Sequence, residues 1–133
     1  MRIEHLAIWS KDLESLADFY CRYFGGRQGE RYHNPQKGFY SYFISFESGC
    51  RLELMQKADI PISKDDPIAQ ATGMTHFAFD LETEAAVRQK TEELRAAGYQ
   101  VVDGPRTTGD GYFESVVLDP EENRIELACV AGR

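Results

Sequence analysis

Cysteine is scarce in this chain, and what there is makes no motif. Cys21, Cys50 and Cys129 are odd in number, widely spaced and without a CxxC. That excludes a disulfide framework or a thiolate zinc knuckle and points to reduced packing thiols in a cytoplasmic protein. Basic residues are also short: 15 Lys and Arg stand against 22 Asp and Glu, for a net charge of −7. An acidic chain of pI about 4.9 lacks the clustered cations needed for a phosphate backbone or an anionic bilayer, so neither nucleic acid nor membrane is an expected partner. No apolar run approaches the length needed to span a bilayer. The amino terminus leads straight into a strand-like segment with no apolar core of a targeting signal, so none is expected.

What is present is a pattern that occurs twice. His5-Leu6-Ala7-Ile8 is echoed by His76-Phe77-Ala78-Phe79, and Arg51-Leu52-Glu53-Leu54 by Arg124-Ile125-Glu126-Leu127. His5 and Glu53 are 48 positions apart, His76 and Glu126 are 50. The difference of two already exists at the glycine that stops each helix, 20 positions after His5 at Gly25 and 22 after His76 at Gly98. The rest of each half stays in step, as duplicated structural units do.

Each half reads as strand, helix, then three strands. In the first, residues 2–9 are strand-like. Leu13, Leu16, Ala17, Tyr20, Tyr23 and Phe24 then recur at helical spacing before Gly25-Gly26. Strands are expected near 27–33, 39–46 and 50–56, the last two joined by Glu47-Ser48-Gly49. In the second half, 74–80 is a strand, and 83–97 a helix with Val87, Thr91 and Leu94 inward. Strands near 99–103, 112–118 and 123–130 follow, with Asp119-Pro120-Glu121-Glu122-Asn123 as the final turn. The expected class is α+β: one domain over 1–133, built from two βαβββ modules (1–57 and 74–130) joined by a linker at 58–73.

Side chains alternate faces along a strand. Leu6 and Ile8 beside His5, Leu52 and Leu54 around Glu53, Phe77 and Phe79 beside His76, and Ile125 and Leu127 around Glu126 fall on the opposite face, and each half supplies one amphipathic helix to cover them. The two His and two Glu therefore project from the sheet face away from the helices. If that face curls into a trough, all four meet at its floor. Two imidazoles and two carboxylates suit one divalent ion (Ni, Zn, Co, Mn or Fe) and leave positions open for a substrate oxygen. The competing reading is a salt-bridge network in which Arg51 and Arg124, on the same face, pair with the glutamates.

Further candidates lie nearby. Tyr112 and Glu114 are on a strand expected to line the cleft, Trp9 is a candidate wall, and Arg106 can meet an anionic substrate group. Thr107 to Gly111 is a Gly-rich approach that would suit a lid or substrate loop, or serve as an ordinary hairpin entry. His33, beside Asn34-Pro35, reads as a surface loop residue.

With these residues in place, the chain resembles the vicinal oxygen chelate superfamily, which includes glyoxalase I, methylmalonyl-CoA epimerase, extradiol dioxygenases and the fosfomycin and bleomycin resistance proteins. The resemblance rests on the two His-containing strands, on Asp12-Leu13-Glu14, Phe19-Tyr20 and Phe24-Gly25, and on the run from Asp119 to Leu127. It implies paired βαβββ modules whose sheets form a cleft around the metal. It also implies a substrate that chelates the ion through adjacent oxygens. The His–Glu–His–Glu set is that of bacterial-type glyoxalase I; epimerases generally carry Gln at the place of Glu53, and dioxygenases and fosfomycin enzymes use three ligands. The resemblance thus implies a lyase/isomerase that acts on a thiol–2-oxoaldehyde adduct through an enediolate, with Glu53 or Glu126 moving the proton. It also implies a homodimer, in which the ligands meet within one chain or across two. Its rivals are an epimerase, an Fe(II) dioxygenase, and a metal-free protein of the resistance type that sequesters a ligand. Three places depart from the glyoxalase I pattern. Trp9 stands where an Arg holds glutathione, Met55-Gln56-Lys57 offers no Asn, and the last turn has Glu122 and no Gly. The ligand set therefore matches further than the glutathione site does.

Overall fold

The structure, a computed structural model, describes residues 1–63 and 65–133. The chain divides into two compact units, Met1–Ser63 and Lys64–Arg133, and the division falls inside the expected linker.

In the first unit, β1 (His5–Trp9) leads to α1 (Leu13–Phe24), and β2 (Arg27–Gln28), β3 (Tyr32–Asn34), β4 (Phe39–Ser45) and β5 (Arg51–Lys57) follow. Asp12 starts α1 by accepting a hydrogen bond from the Ser15 backbone N–H at 3.1 Å. Gly25 ends it in the left-handed conformation, φ 65°. Leu13, Leu16, Ala17, Phe19 and Tyr20 of the helix are buried against a sheet whose inward side carries Tyr42, Ile44, Leu52 and Leu54. Tyr42 ties the two layers by donating its hydroxyl to Glu14 at 2.9 Å. The strand order is β1-β5-β4-β2, with β3 also on β4. The single strand expected at 27–33 is in fact two short strands. Their pairing with β4 slips by one residue between Gln28↔Ile44 and Tyr32↔Ser41. His33 is consequently in a strand, not a loop, with its ring stacked on Tyr40 at 4.2 Å.

The second unit repeats the plan. β6 (His76–Asp80), α2 (Glu84–Ala96), β7 (Val101–Thr107), β8 (Tyr112–Leu118) and β9 (Arg124–Val130) form a sheet of order β6-β9-β8-β7. Thr83 caps α2 by accepting from the Ala86 N–H at 3.2 Å. Val87, Thr91 and Leu94 are buried as their spacing demands, over Phe113, Val117, Ile125 and Leu127. A polar contact inside this core is satisfied twice, since Thr91 Oγ1 reaches both the Val87 carbonyl and Ser115 Oγ at 2.6 Å. Asp119 organises the final turn by accepting from the backbone N–H groups of Glu121 and Asn123 at 2.8 and 3.0 Å. Here Glu122 takes a left-handed φ of 68°.

Two mixed sheets with one helix each make an α+β fold of βαβββ modules, the first enlarged by its divided strand. The duplication reaches the level of single residue pairs. β1 runs parallel to β5 with His5↔Arg51 and Ala7↔Glu53, and β6 runs parallel to β9 with His76↔Arg124 and Ala78↔Glu126.

Candidate metal and substrate site

Each unit presents one His–Glu pair on its helix-free face. In the first, His5 Nε2 lies 3.6 Å from Glu53 Oε2; in the second, His76 Nε2 lies 3.0 Å from Glu126 Oε2. The glutamates are the better covered members, with side chains 17% and 15% exposed. The other ring nitrogen is anchored in both units by the residue just before the histidine. His5 Nδ1 is 2.5 Å from Glu4 Oε2, and His76 Nδ1 is 3.2 Å from Thr75 Oγ1. The hydrogen bond to His5, followed by that to Arg51, holds the Glu4 carboxyl below its ordinary range. Neither anchor was singled out from sequence, although each directly precedes a candidate histidine.

The arginines do not neutralise these glutamates. Arg51 donates its Nε to Glu4 at 2.8 Å and lies over the Phe43 ring at 4.0 Å. Arg124 donates to the Pro67 carbonyl at 2.6 Å. Among the described residues, no ion pair joins either arginine to Glu53 or Glu126, so the salt-bridge alternative is not the arrangement adopted.

The donor chemistry fits a divalent ion. Two ligand atoms bound at about 2.1 Å and 90–110° apart are roughly 3.0–3.4 Å from each other, close to the separations of the two pairs. Anchoring of Nδ1 by a carboxylate or hydroxyl, with Nε2 turned outward, is the support that ligating histidines ordinarily have. Within either unit, and among the described residues, no group of three or more His, Cys, Asp or Glu side chains gathers to hold an ion unaided. Each half thus offers two donors.

The surroundings of the two pairs differ. On the first unit's face, Trp9 is 43% exposed and meets Phe39 edge-on at 6.1 Å, while Tyr32 also meets Phe39 at 6.0 Å. Phe43 meets the His5 ring edge-on at 5.4 Å. On the second unit's face, His76, Asp80, Asp110, Tyr112, Glu114 and Glu126 line a concavity of about 680 Å³. Of the cleft residues expected from sequence, Tyr112 and Glu114 are in this concavity. Arg106 faces Glu114 across β7 and β8, but its guanidinium is taken up by both Asp103 oxygens, at 3.2 and 2.7 Å. Glu114 is shifted upward, first by burial and next by the negative charge of Glu126. Asp110 belongs to the Gly-rich approach at 107–111, while Asp80 was not foreseen. The Gly-rich approach at 107–111 forms a tight turn at the hairpin entry. The Thr108 N–H donates to the Tyr112 carbonyl at 2.8 Å, and the Gly111 N–H to the Thr108 carbonyl at 3.3 Å. All three cysteines are free thiols; burial raises the pKa of Cys21 and Cys129, which makes them poor nucleophiles.

Solved relatives share this architecture. A glyoxalase family protein from Bacillus cereus superposes with a TM-score of 0.81 at 18% identity, over 99% of this chain and 95% of that one. The trypanothione-dependent glyoxalase I of Leishmania major gives 0.78 at 23% identity, over 97% and 86%. In sequence, the uncharacterized protein YqjT of Bacillus subtilis is 26% identical over 96% of this chain and 98% of its own. Human mitochondrial methylmalonyl-CoA epimerase is 30% identical over 77% of this chain and 60% of that protein. The family profile of the glyoxalase/bleomycin resistance protein/dioxygenase superfamily matches residues 2–127. The chain belongs to that superfamily.

Proposed function

We propose that the protein is a cytoplasmic, homodimeric, metal-dependent isomerase of the glyoxalase I type. His5, Glu53, His76 and Glu126 would together hold one Ni, Zn, Co, Mn or Fe ion, within one chain or across the dimer. The observation that carries this reading is the repetition of the His–Glu pair at identical strand register, with the same nitrogen turned to the carboxylate in both halves. When bound, such an ion would supply Lewis acidity toward a small substrate with two adjacent oxygens, such as a thiol–2-oxoaldehyde adduct. On this reading each half would contribute one glutamate to the substrate. One of them, Glu53 or Glu126, takes the proton from the carbon that bears the hydroxyl, and the electron pair so released forms the enediolate. A carboxyl then returns the proton to the neighbouring carbon, so the reaction needs no oxidant or reductant.

The similarity to an epimerase supports a second reading, racemisation beside a thioester carbonyl, which uses the same proton removal. Glu53, at the place where epimerases generally carry Gln, favours the isomerase. The test is metal analysis of protein expressed in metal-replete medium, followed by assays of methylglyoxal with glutathione and other thiols and of a CoA thioester. About one ion per chain and isomerisation of a thiol adduct, both reduced in Glu126→Gln, are expected. Metal near zero with no loss in the variant would overturn the reading.

A further inference from the structure

The four carboxylates that line the second unit's concavity are not equivalent. Glu126 lies against His76 Nε2 at 3.0 Å. Asp80 Oδ1 accepts from the Glu82 backbone N–H at 2.9 Å and so caps a turn. Asp110 accepts from the Thr108 hydroxyl within the β7–β8 turn. Glu114 alone has neither a hydrogen bond nor an ion pair among the described residues, although it is half-buried and faces the same space. Its natural partner, Arg106, is directly opposite in the sheet register and is already held by Asp103 through both oxygens.

Glu114 is also placed with care. It pairs with Ala128, two residues along β9 from Glu126, and on the same face. β7 approaches it through two register shifts and through Gly104, where a Cβ would stand 2.4 Å from the Glu114 carbonyl oxygen. Bulges of this kind gather at sites where a side chain must be aimed. A covered, unpaired carboxyl costs stability, which a residue retained for packing alone would not repay. The charged groups around it are Glu126 from β9, His76 from β6, Arg106 from β7 and Asp110 from the turn.

We infer that Glu114 is a third catalytic carboxyl, which exchanges the transferred proton with substrate in this concavity while Glu126 stays beside His76. The inference rests on the proposed function and assigns within it the group that returns the proton. In the isomerisation, Glu114 takes the proton from the carboxyl that removed it and donates it to the second carbon of the enediolate. The carbon–carbon π pair forms the new C–H bond, the hydroxyl proton passes to the oxygen that was the carbonyl, and the oxygen so freed closes the new carbonyl. Glu114 ends as it began, so atoms and charge balance over the cycle.

The test uses the full chain loaded with Co2+, with methylglyoxal plus glutathione and methylglyoxal plus 2-mercaptoethanol as probes. Glu114→Gln, Glu114→Asp and Glu126→Gln are compared with the parent protein. Glu114→Gln is expected to leave Co2+ affinity and the visible Co2+ spectrum unchanged, to keep or raise the unfolding temperature, and to lower kcat by about 10²–10⁴-fold. Glu114→Asp should recover part of that loss, and Glu126→Gln should alter the spectrum. Turnover by Glu114→Gln at the parental rate overturns the inference alone. A changed Co2+ spectrum in Glu114→Gln overturns it by making Glu114 a ligand. A Co2+-loaded parent that acts on neither adduct overturns the proposed function and the inference together.

Discussion

The two helix-free faces can be laid over each other strand by strand. His5 corresponds to His76, Ala7 to Ala78, Glu53 to Glu126. One step away the correspondence changes in kind. Trp9 and its neighbour Met55 in the first unit are Asp80 and Ala128 in the second. Phe43, opposite Glu53, is Val116 opposite Glu126, and Ser41, opposite Met55, is Glu114 opposite Ala128. The donor pair has been kept while its surroundings have diverged, to aromatic rings on one side and carboxyls on the other. The difference separates two jobs. Register positions common to both halves can hold an ion, and positions that differ are free to shape what lies against it. In the resemblance that the sequence suggested, Trp9 replaces the arginine that holds glutathione; the structure puts it in an aromatic cluster with Phe39 and Tyr32, a surface suited to an apolar group.

The strongest way to break this comparison is to damage the shared pair on each side. Glu53→Gln and Glu126→Gln should each lower turnover by about 10²–10⁴-fold, measured as initial rates on a methylglyoxal–thiol adduct. If one half tolerates the change, the halves are not equivalent ligand carriers. The anchors of the imidazoles come next. Glu4→Ala and Thr75→Ala should weaken metal binding by roughly 10–100-fold, measured by calorimetry. Glu4 should matter more, because a carboxylate 2.5 Å from Nδ1 raises ligand basicity more than a hydroxyl at 3.2 Å. The reverse order would mean that the anchors act only by positioning the rings.

A smaller effect concerns the carboxyl found in only one half. The pKa of Glu114 is raised from 4.5 by burial and by Glu126. A carboxyl raised on folding contributes its stability below the unfolded value and loses it as pH climbs to the folded one. In metal-free protein, Glu114→Gln should therefore match the parent in strongly acid solution and become the more stable form at neutral pH, by denaturant unfolding at each pH. A constant gap across pH would contradict this. The smallest effect is expected in the last turn, where Glu122 holds a φ of 68° that costs a residue with a Cβ about 1 kcal/mol. Glu122→Gly should stabilise the protein by up to about 0.5–1 kcal/mol, after allowance for the greater freedom of unfolded glycine.

Much of this was legible in the sequence because it depends on simple periods. The alternation around Glu53 and Glu126 gave their face, since a period of two leaves only two choices, and Leu52, Leu54, Ile125 and Leu127 are indeed the buried set. The helices were readable from the spacing of Leu13, Leu16, Ala17 and Tyr20 and of Val87, Thr91 and Leu94, and from Gly25 and Gly98 after their ends; their caps at Asp12 and Thr83 came from the structure. The division of β2 from β3 was not readable, because a one-residue slip in pairing leaves no mark in composition. β7 was expected to end near Asp103, yet it continues to Thr107 through shifts that depend on the close approach of Gly104 to the Glu114 backbone. That approach is a long-range contact, and it decides that Arg106 faces Glu114. The anchoring of Nδ1 depends on ring orientation, which spacing does not specify, and so Glu4 and Thr75 went unnoticed.

On the proposed reading, two equivalent half-sites would serve one ion. Titration of metal-free protein with Ni2+ by calorimetry, on the parent and on His5→Ala, Glu53→Gln, His76→Ala and Glu126→Gln, tests it most directly. One ion per chain in the parent, with affinity falling in all four variants, is the expected result. Two ions per chain, or a substitution in one half that leaves a full-affinity site in the other, would contradict it.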